Sequence, residues 1–346
     1  NLGFVLPMAL DLACFTAVAP NGGDKLRVYS EDMQQSREWT VKDLESLEPA
    51  HDWGDYVAGV AQQLVRAGYP VAPVNLLIRS TVPVGSGLSS SAALETSTAL
   101  ALLGDRRMEP LELVRLCRRA ENEFVGMPCG IMDQYISVFG REGAAVKIDC
   151  RSLEHEVVQL PPDVAIIAVN TMVKHELGQS AYRDRVRECA EAVEVIRGIR
   201  PGVESLRDVD VATFEIAAEQ IPPVPRKRAR HVVTEDARVE AFMAASKRGD
   251  LETMGALFVA SHRSLQNDYE VSCEELDFLV DTALGLPGVL GARMTGGGFG
   301  GCTVNLVRPQ NAEEFSEKIT AAYKERFGIT PAVYRCKPSA GAGEIC

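Results

Sequence analysis

Residues 83–93, Pro-Val-Gly-Ser-Gly-Leu-Ser-Ser-Ser-Ala-Ala, have the composition and spacing of a phosphate-binding loop. Gly85 and Gly87 allow a tight turn that exposes several backbone N–H groups. Three serines then lead into an alanine-rich apolar run at residues 92–103, which predicts a helix. Unpaired N–H groups and the positive end of the helix dipole favour an anion at this point. The alternative is an ordinary Gly-Ser turn in which Ser89 is the helix N-cap.

Two better-known phosphate-binding arrangements are absent from the sequence. A P-loop closes with Gly-Lys-Ser/Thr, so that the lysine reaches the outer phosphates, and this tripeptide does not occur. A protein-kinase catalytic loop is also missing, because His262-Arg263 is followed by serine and no Asp-Phe-Gly exists. The predicted loop would therefore bind phosphate without a lysine.

A second glycine-rich segment lies at residues 295–301, Thr-Gly-Gly-Gly-Phe-Gly-Gly. It satisfies the dinucleotide-binding pattern G-x-G-x-x-G, but that pattern requires a helix immediately afterwards. Here residues 302–307, Cys-Thr-Val-Asn-Leu-Val, predict a strand. We therefore predict a hairpin-like glycine loop, whose bare backbone suits close approach by a ligand or by another loop.

Two carboxylates have surroundings that suit chemistry. Glu121 lies on a predicted helix before the break at Pro128, and alone it would be read as a solvated helix charge. Asp133 lies among apolar residues, where burial would demand a cationic partner, a metal or a raised pKa. The alternative for Asp133 is a helix N-cap. Tyr182 could present its hydroxyl to a sugar, although a helical tyrosine is by default a packing residue.

Composition limits the class of protein. The chain has 346 residues and is 46% hydrophobic, and it has no apolar run long enough to cross a bilayer, so we predict two globular domains and no membrane association. The 36 basic and 48 acidic residues give a net charge of −12, which argues against nucleic-acid binding. The basic cluster at residues 225–231 is interpreted as an exposed helical face. Nine scattered cysteines indicate free thiols in a reducing cytoplasm.

The pattern of apolar residues predicts the elements around these motifs. We expect a hairpin from residues 12–19 and 25–29, a core helix at 53–65, a strand at 74–82 that leads into the phosphate loop, and a helix at 110–124. Three strands follow at 143–149, 154–160 and 164–169. Helices are then predicted at 179–199, 235–247, 251–267 and 273–284, with a break at residues 222–225, and strand, strand, helix and strand at 291–295, 302–307, 313–327 and 331–336. This is an α+β pattern.

Three motifs together resemble the GHMP small-molecule kinases and, within them, the galactokinases. Residues 82–92 are similar to the family's second motif and residues 294–302 to its third. Residues 129–134, Cys-Gly-Ile-Met-Asp-Gln, are similar to the segment with the catalytic aspartate. Residues 148–153 and 336–343 also look like galactokinase sequence, so the resemblance covers the chain from Asn1 to Cys346.

The resemblance implies a fold and an activity. The fold would be a two-domain α+β GHMP-kinase fold, with domains at residues 1–170 and 171–346 and the active site between them. The activity would be ATP- and Mg²⁺-dependent phosphorylation of D-galactose at its anomeric hydroxyl. Galactose and ATP would be the partners of a cytoplasmic protein that we expect to be a monomer, with a dimer as the alternative.

The resemblance also implies roles for particular residues. Asp133 would act as general base or orient the sugar hydroxyl electrostatically. Gly130 and Tyr182 would contact galactose, and Ser91 with Glu121 would hold Mg²⁺. The loop at Gly296, Gly297 and Gly298 would shape the site. The ATP-binding residues would be Ser30, Gly85, Ser86, Gly87, Leu88, Ser89, Ser90 and Ser91.

One family motif is absent. Galactokinases carry a first motif that reads approximately Gly-Arg-Val-Asn-Leu-Ile-Gly-Glu-His-Thr-Asp-Tyr, immediately before the sequence found here at residues 3–7. It supplies an arginine near the transferred phosphoryl group, so we expect a segment that precedes Asn1. Two alternatives stay open: another GHMP sugar kinase, acting on N-acetylgalactosamine or arabinose, and a galactokinase-like sensor that binds ATP and sugar without turnover.

Overall fold

The computed structural model describes residues 1–174 and 178–345, and leaves the side chains of Lys174 and residues 178–180 undescribed. Cys346, one of the nine predicted thiols, lies outside the described residues, and the other eight cysteines are free. Within the described part, no helix is long and apolar enough to span a membrane. The mixture of helices and strands confirms the predicted α+β class.

Eleven strands and ten α-helices are found in the described chain. The strands are β1 (Phe4–Val5), β2 (Cys14–Pro20), β3 (Lys25–Ser30), β4 (Gln35–Thr40), β5 (Val74–Ser80), β6 (Ala144–Asp149), β7 (His155–Gln159), β8 (Ala165–Lys174), β9 (Val289–Met294), β10 (Gly300–Val307) and β11 (Ala332–Cys336). The helices are α1 (Gly54–Arg66), α2 (Ser90–Leu103), α3 (Pro110–Arg119), α4 (Met132–Phe139), α5 (Gly178–Ile199), α6 (Val211–Ala217), α7 (Pro223–Arg248), α8 (Leu251–Ser264), α9 (Glu274–Leu284) and α10 (Ala312–Phe327).

The chain forms two compact units. The first contains Asn1–Leu6, Gly85–Leu88 and Gly143–Lys337, and the second contains Pro7–Val84, Ser89–Glu142 and Pro338–Cys346. The phosphate-loop sequence thus passes from the first unit to the second after Leu88. The domain boundary at residues 170 and 171 stays a prediction, and the compact units divide the chain at other points.

The second unit contains a four-stranded sheet in the order β2-β5-β3-β4. In β5, Val74, Leu76 and Ile78 are buried while the residues between them face outward, so one face of the sheet meets the core. Helix α1 supplies Val57, Val60 and Leu64 to that core, and α2 and α3 add further apolar side chains. This packing fixes the helices that bear the candidate site.

The predicted hairpin of residues 12–19 and 25–29 is wrong. Strand β5 lies between β2 and β3, pairing antiparallel with β2 and parallel with β3. The hairpin partner of β3 is instead β4, which has a polar sequence. The turn at residues 20–23 suited a hairpin locally, but β5 offers a more apolar partner to both strands. The alternating valine, leucine and isoleucine side chains of β5 bury more apolar surface in the core than the polar side chains of β4 would.

The first unit contains two antiparallel sheets and six of the helices. Their strand orders are β1-β6-β7 and β11-β8-β10-β9. Helices α9 and α10 cover the larger sheet with a core that includes Leu279, Phe315 and Tyr323. The predicted strands and helices of this region are present, but α7 already begins at Pro223, because proline is tolerated in the first helical turn.

The basic cluster at residues 225–231 is not an exposed face, which corrects that prediction. Arg228 is only 3% exposed and pairs with Glu188 and Glu270, each at 2.7 Å. The other three basic side chains also meet acidic partners: Arg226 with Glu219, Lys227 with Glu270, and Arg230 with Asp268. The sequence showed the positive charges clustered together but not the distant carboxylates that neutralise them.

The first unit contains a buried histidine whose pKa is shifted by its surroundings. His231 Nδ1 lies 3.0 Å from Ser264 Oγ, and burial lowers the pKa of His231 to about 4. The charge of Glu235 opposes this shift, while the arginines at positions 238 and 293 add to it.

We expect the free energy of unfolding to fall as the pH is lowered from about 6.5 to about 4. In that pH window His231 binds a proton in the unfolded state but not in the folded state. This lowers the free energy of unfolding by about 3 kcal/mol at most. Urea unfolding of wild type and His231→Phe at several pH values measures the effect. The variant should lose this pH dependence, and an unchanged slope would refute the assignment.

Candidate active site

Asp133 lies in the first turn of α4, and the helix N-cap is Ile131. The N-cap interpretation of Asp133 is therefore wrong. Its carboxylate instead accepts a hydrogen bond from the Ser89 hydroxyl. Burial raises the pKa of Asp133, the Ser89 hydrogen bond partly offsets that rise, and the charge of Glu121 adds to it. An aspartate in this environment is a stronger base than one in water.

Behind Asp133, the Gln134 amide links two buried carboxyl groups. Gln134 Nε2 donates to Glu121 Oε2 at 2.6 Å and to Glu95 Oε2 at 3.0 Å. Glu95 and Gln134 are completely buried and Glu121 is nearly so. Burial and the charge of Glu121 raise the pKa of Glu95 well above its usual range. The amide therefore fixes the orientation of Glu121 from one side.

The local backbone explains why Glu121 faces inward. It lies in a single π-helical turn, Ala120–Val125, that follows α3. Such turns are often found at functional sites because they redirect side chains. Next to it, Asn122 accepts the Cys129 N–H at 2.7 Å and donates to the Cys129 carbonyl at 3.3 Å. This clamp sets the start of the segment that contains Gly130 and Asp133.

The three serines begin α2. Ser89 has a left-handed backbone conformation, with φ of 62°, and its side chain makes no capping hydrogen bond. Ser89 thus occupies the N-cap position of α2, but without the side-chain hydrogen bond of an ordinary N-cap. Ser91 lies one helical turn before Glu95, so both side chains project on the same face of α2. Across residues 1–174 and 178–345, no protein group hydrogen-bonds the Ser91 hydroxyl.

In the first unit, the two glycine loops touch backbone to backbone. A methyl group added at Gly296 would lie 2.9 Å from both Cα and O of Gly87. One added at Gly301 would lie 2.7 Å from the Ser86 carbonyl oxygen. The Ser86 side chain is buried and hydrogen-bonds Cys302. The bare backbone of the second glycine loop is therefore needed for contact with the phosphate loop.

The second glycine loop connects two antiparallel strands, which confirms the hairpin prediction. Strand β9 ends at Met294 and pairs with β10, with Met294 opposite Thr303. The Thr295 N–H donates to the Cys302 carbonyl at 3.0 Å and closes the loop. No helix follows the glycines, so a Rossmann-type dinucleotide site is excluded there.

The structure gives the other predicted site residues the following surroundings. Ser30 ends β3, is 5% exposed, and accepts the Met33 N–H. Gly130 has open space around it. Tyr182 lies on α5 and is 40% exposed. A methyl group added at Gly297 would have no atom within 4 Å, whereas one added at Gly298 would lie 2.1 Å from the Val271 carbonyl oxygen. Their roles stay predictions.

Sequence reasoning missed Glu95 and Gln134. One signal was available for Glu95, since it is the single carboxylate in the alanine-rich run of α2. A charged residue on an apolar helix, one turn after Ser91, indicates a buried functional group. Nothing in the sequence distinguished Gln134 from a surface glutamine.

The carboxyl cluster suits a divalent cation. Glu95 and Glu121 are both buried, and across the described residues no lysine or arginine forms an ion pair with either. Such a pair of acidic groups is stabilised by a nearby cation or by protonation. The described residues contain no group of three or more acidic, His or Cys side chains arranged for a metal. A divalent cation here would therefore need most of its oxygen ligands from a bound molecule and from water.

Comparison with known proteins identifies the class. The model of the GHMP kinases N terminal domain matches residues 55–141, and that of the GHMP kinases C terminal matches residues 242–325. The crystal structure of Lactococcus lactis galactokinase complexed with galactose matches with a TM-score of 0.93 and 34% identity, and the match covers 100% of this chain and 90% of that one. The fold is thus that of the GHMP kinases.

Two curated relatives narrow the assignment from the GHMP kinases to one family within them. Galactokinase from Roseiflexus sp. (strain RS-1) is 42% identical over 347 residues, and the human galactokinase is 43% identical over 358 residues. Each match covers 100% of this chain and 88% of the relative. The chain belongs to the galactokinase family of the GHMP kinases.

Proposed function

We propose that this protein transfers the γ-phosphoryl group of ATP to the anomeric hydroxyl of D-galactose, giving galactose 1-phosphate and ADP. The observation that carries the proposal is Asp133, a half-buried carboxylate of raised pKa held by Ser89 at the start of α4. The relatives support the choice of sugar, since they are galactokinases and the matched crystal structure contains galactose.

In this mechanism Asp133 accepts the proton of the anomeric hydroxyl, or orients that hydroxyl, while the sugar oxygen forms its bond to the γ-phosphorus. The bond from that phosphorus to the β,γ-bridging oxygen breaks, and ADP leaves with the electron pair. A raised pKa suits the task, because a general base is most effective when its pKa approaches the working pH. The Ser89 hydrogen bond keeps the carboxylate in place.

The phosphate groups would be bound by residues 85–91. Here the backbone N–H groups before α2 and the positive end of the α2 dipole replace the lysine of a P-loop. Ser30 is proposed to approach the nucleotide, and Gly130 and Tyr182 to contact galactose. Open space around Gly130 and the exposure of Tyr182 are compatible with those roles.

Mg²⁺ is part of the proposal, with the Ser91 hydroxyl and the Glu121 carboxylate as its protein ligands. When bound, it would neutralise charge on the β- and γ-phosphates. Gln134 holds Glu121 by one oxygen, and the Ser91 hydroxyl makes no competing protein hydrogen bond across the described residues. Both groups are oxygen donors, which Mg²⁺ prefers.

We expect Ser91→Ala and Glu121→Ala to weaken Mg²⁺-dependent nucleotide binding while galactose binding changes little. Each removes an oxygen donor, and loss of the carboxylate should raise the half-saturating Mg²⁺ concentration about tenfold or more. Calorimetric titration of ADP at several Mg²⁺ concentrations measures this without turnover. Glu112→Ala, an exposed acid on α3, is the control. An unchanged Mg²⁺ dependence in Glu121→Ala would remove that residue from the metal site.

A panel of sugars tests the substrate. Galactose, N-acetylgalactosamine and arabinose would be compared by coupled ADP release at matched ATP and Mg²⁺. The proposal predicts the highest kcat/KM for galactose. Preference for another sugar would establish a different GHMP sugar kinase, and binding of ATP and galactose without ADP release would establish a sensor.

Cytoplasmic location and a monomeric state belong to the same proposal, with a dimer as the alternative. The eight free cysteines of the described chain support a reducing compartment. Sedimentation of the purified protein decides between monomer and dimer.

A further inference from the structure

His262 is a buried histidine with no part in the mechanism above. It lies on α8, is fully buried, and its Nδ1 accepts the backbone N–H of Met294 at 3.3 Å. A neutral ring that accepts through Nδ1 carries its proton on Nε2. That Nε2 lies 3.2 Å from Asp277 Oδ1, in an off-axis approach that meets the distance but not the angle of a good hydrogen bond.

Asp277 completes a chain of polar contacts through three elements. It lies on α9, and its Oδ1 also accepts the Ser272 hydroxyl at 2.5 Å. Burial opposes ionisation of Asp277, but the nearby His262 ring and the hydrogen bond from Ser272 outweigh it and lower the pKa. The carboxylate thus stays charged and favours the Nε2–H tautomer of His262, which leaves Nδ1 as the acceptor.

The backbone N–H that His262 accepts belongs to Met294, at the end of an edge strand. Met294 is the last residue of β9, immediately before the second glycine loop, and β9 is the edge strand of its sheet. Its outward N–H has no neighbouring strand to pair with. Helix α8 covers this edge closely, since a methyl group added at Gly255 would lie 2.0 Å from the Leu290 carbonyl oxygen. The helix is thus packed against β9 near one end and hydrogen-bonded to it at the other.

The same loop supports the phosphate loop. A methyl group added at Gly87 would lie 3.2 Å from the Thr295 carbonyl oxygen, and Thr295 directly follows Met294. We infer that His262 is a positioning residue for ATP, which fixes the Met294 amide and, through Thr295 and Gly296, the backbone of the phosphate loop. This inference rests on the proposed role of residues 85–91 in ATP binding.

A purely structural histidine would have a different effect. Replacing it by an apolar residue of similar size keeps the packing but leaves the buried Met294 N–H without an acceptor, which is costly. The strand end can relieve that cost only by moving, and the glycine loop moves with it. A packing role predicts lower stability alone, whereas a positioning role predicts weaker nucleotide binding as well.

The test compares His262→Phe, His262→Asn and the control His231→Phe. We expect His262→Phe to raise the ATP KM and the Mg·ADP dissociation constant about 5- to 10-fold, the scale of one lost buried hydrogen bond, with the galactose KM within about twofold. Asparagine places an oxygen near the position of Nδ1, so His262→Asn should return both values to within about threefold of wild type. His231→Phe removes a buried histidine whose hydrogen bond is to Ser264 rather than to the Met294 N–H, and should leave both unchanged.

An unchanged Mg·ADP dissociation constant in His262→Phe, with only the Tm lowered, would overturn the inference, and so would failure of asparagine to restore it. If His262→Phe does not fold, His262→Gln takes its place. Glutamine puts its amide near Nε2 and leaves Met294 without an acceptor, so the same weakening is required. Calorimetry needs no turnover, so an inactive wild type that still binds Mg·ADP would refute the proposed reaction and leave this test intact.

Discussion

Asp133→Asn should reduce kcat by about 100-fold or more, the range typical of losing a positioned general base. Asparagine keeps the size of the side chain and can still accept the Ser89 hydroxyl, but it cannot take the sugar's proton. ATP and galactose should bind with little change. Steady-state kinetics with calorimetry of each ligand separates the effect on kcat from effects on binding.

The pH profile gives a second readout of Asp133. In wild type, the rate should fall as the pH is lowered through the raised pKa of this carboxyl, because only the ionised form accepts a proton. Asp133→Asn should lose that acidic limb. The control is Asp55→Asn, a buried aspartate whose carboxylate accepts the Ala50 and His51 N–H groups. It should lower stability and keep kcat.

Two results would contradict the role of Asp133. Turnover of Asp133→Asn within about threefold of wild type, far above the loss expected for a base, would exclude it as the general base. Unfolding of the variant would make Asp133 a structural residue instead.

Gly296→Ala should raise the ATP KM by about tenfold or more, because the added carbon would lie within 3 Å of the phosphate-loop backbone. Gly296 also has a φ of +76°, where alanine is strained. The clash falls on Cα and O of Gly87, and neither of them can move without moving the phosphate loop. The galactose KM should change much less.

A second glycine variant separates the effect of backbone strain from that of the steric clash with the phosphate loop. Gly249 follows α7 with a φ of +66° and has no atom within 4 Å of an added carbon. Gly249→Ala should therefore cost about 1 kcal/mol of stability and leave the ATP KM unchanged. An equal ATP KM in Gly296→Ala and Gly249→Ala would mean that contact between the glycine loops does not shape the nucleotide site.

Much of the candidate site followed from local sequence. The order of glycines, serines and helix predicted the start of α2, and the strand after residues 295–301 excluded a Rossmann turn. Both depend on residues adjacent in the chain, where backbone geometry and periodicity are decisive. The motif with Asp133 was found in the same way.

Long-range partners could not be read from sequence. β2 and β3 looked like a hairpin because their turn residues are adjacent, but the competing strand β5 is about 50 residues further along. Likewise, Gln134 joins Glu95 to Glu121 only after three separate helical segments have packed. The basic cluster at residues 225–231 looked exposed because most of its acidic partners come from α5 and the segment after α8. In each case tertiary packing determined the partner.

The position of the phosphoryl group on the product tests the central claim most directly. Wild-type protein would be incubated with galactose, ATP and Mg²⁺, and the product examined by proton-coupled ³¹P NMR. We expect a single sugar phosphate whose phosphorus couples to the anomeric proton, as transfer to the anomeric hydroxyl requires. A phosphorus that couples to another position of the sugar, or ATP consumed with no sugar phosphate formed, would contradict it.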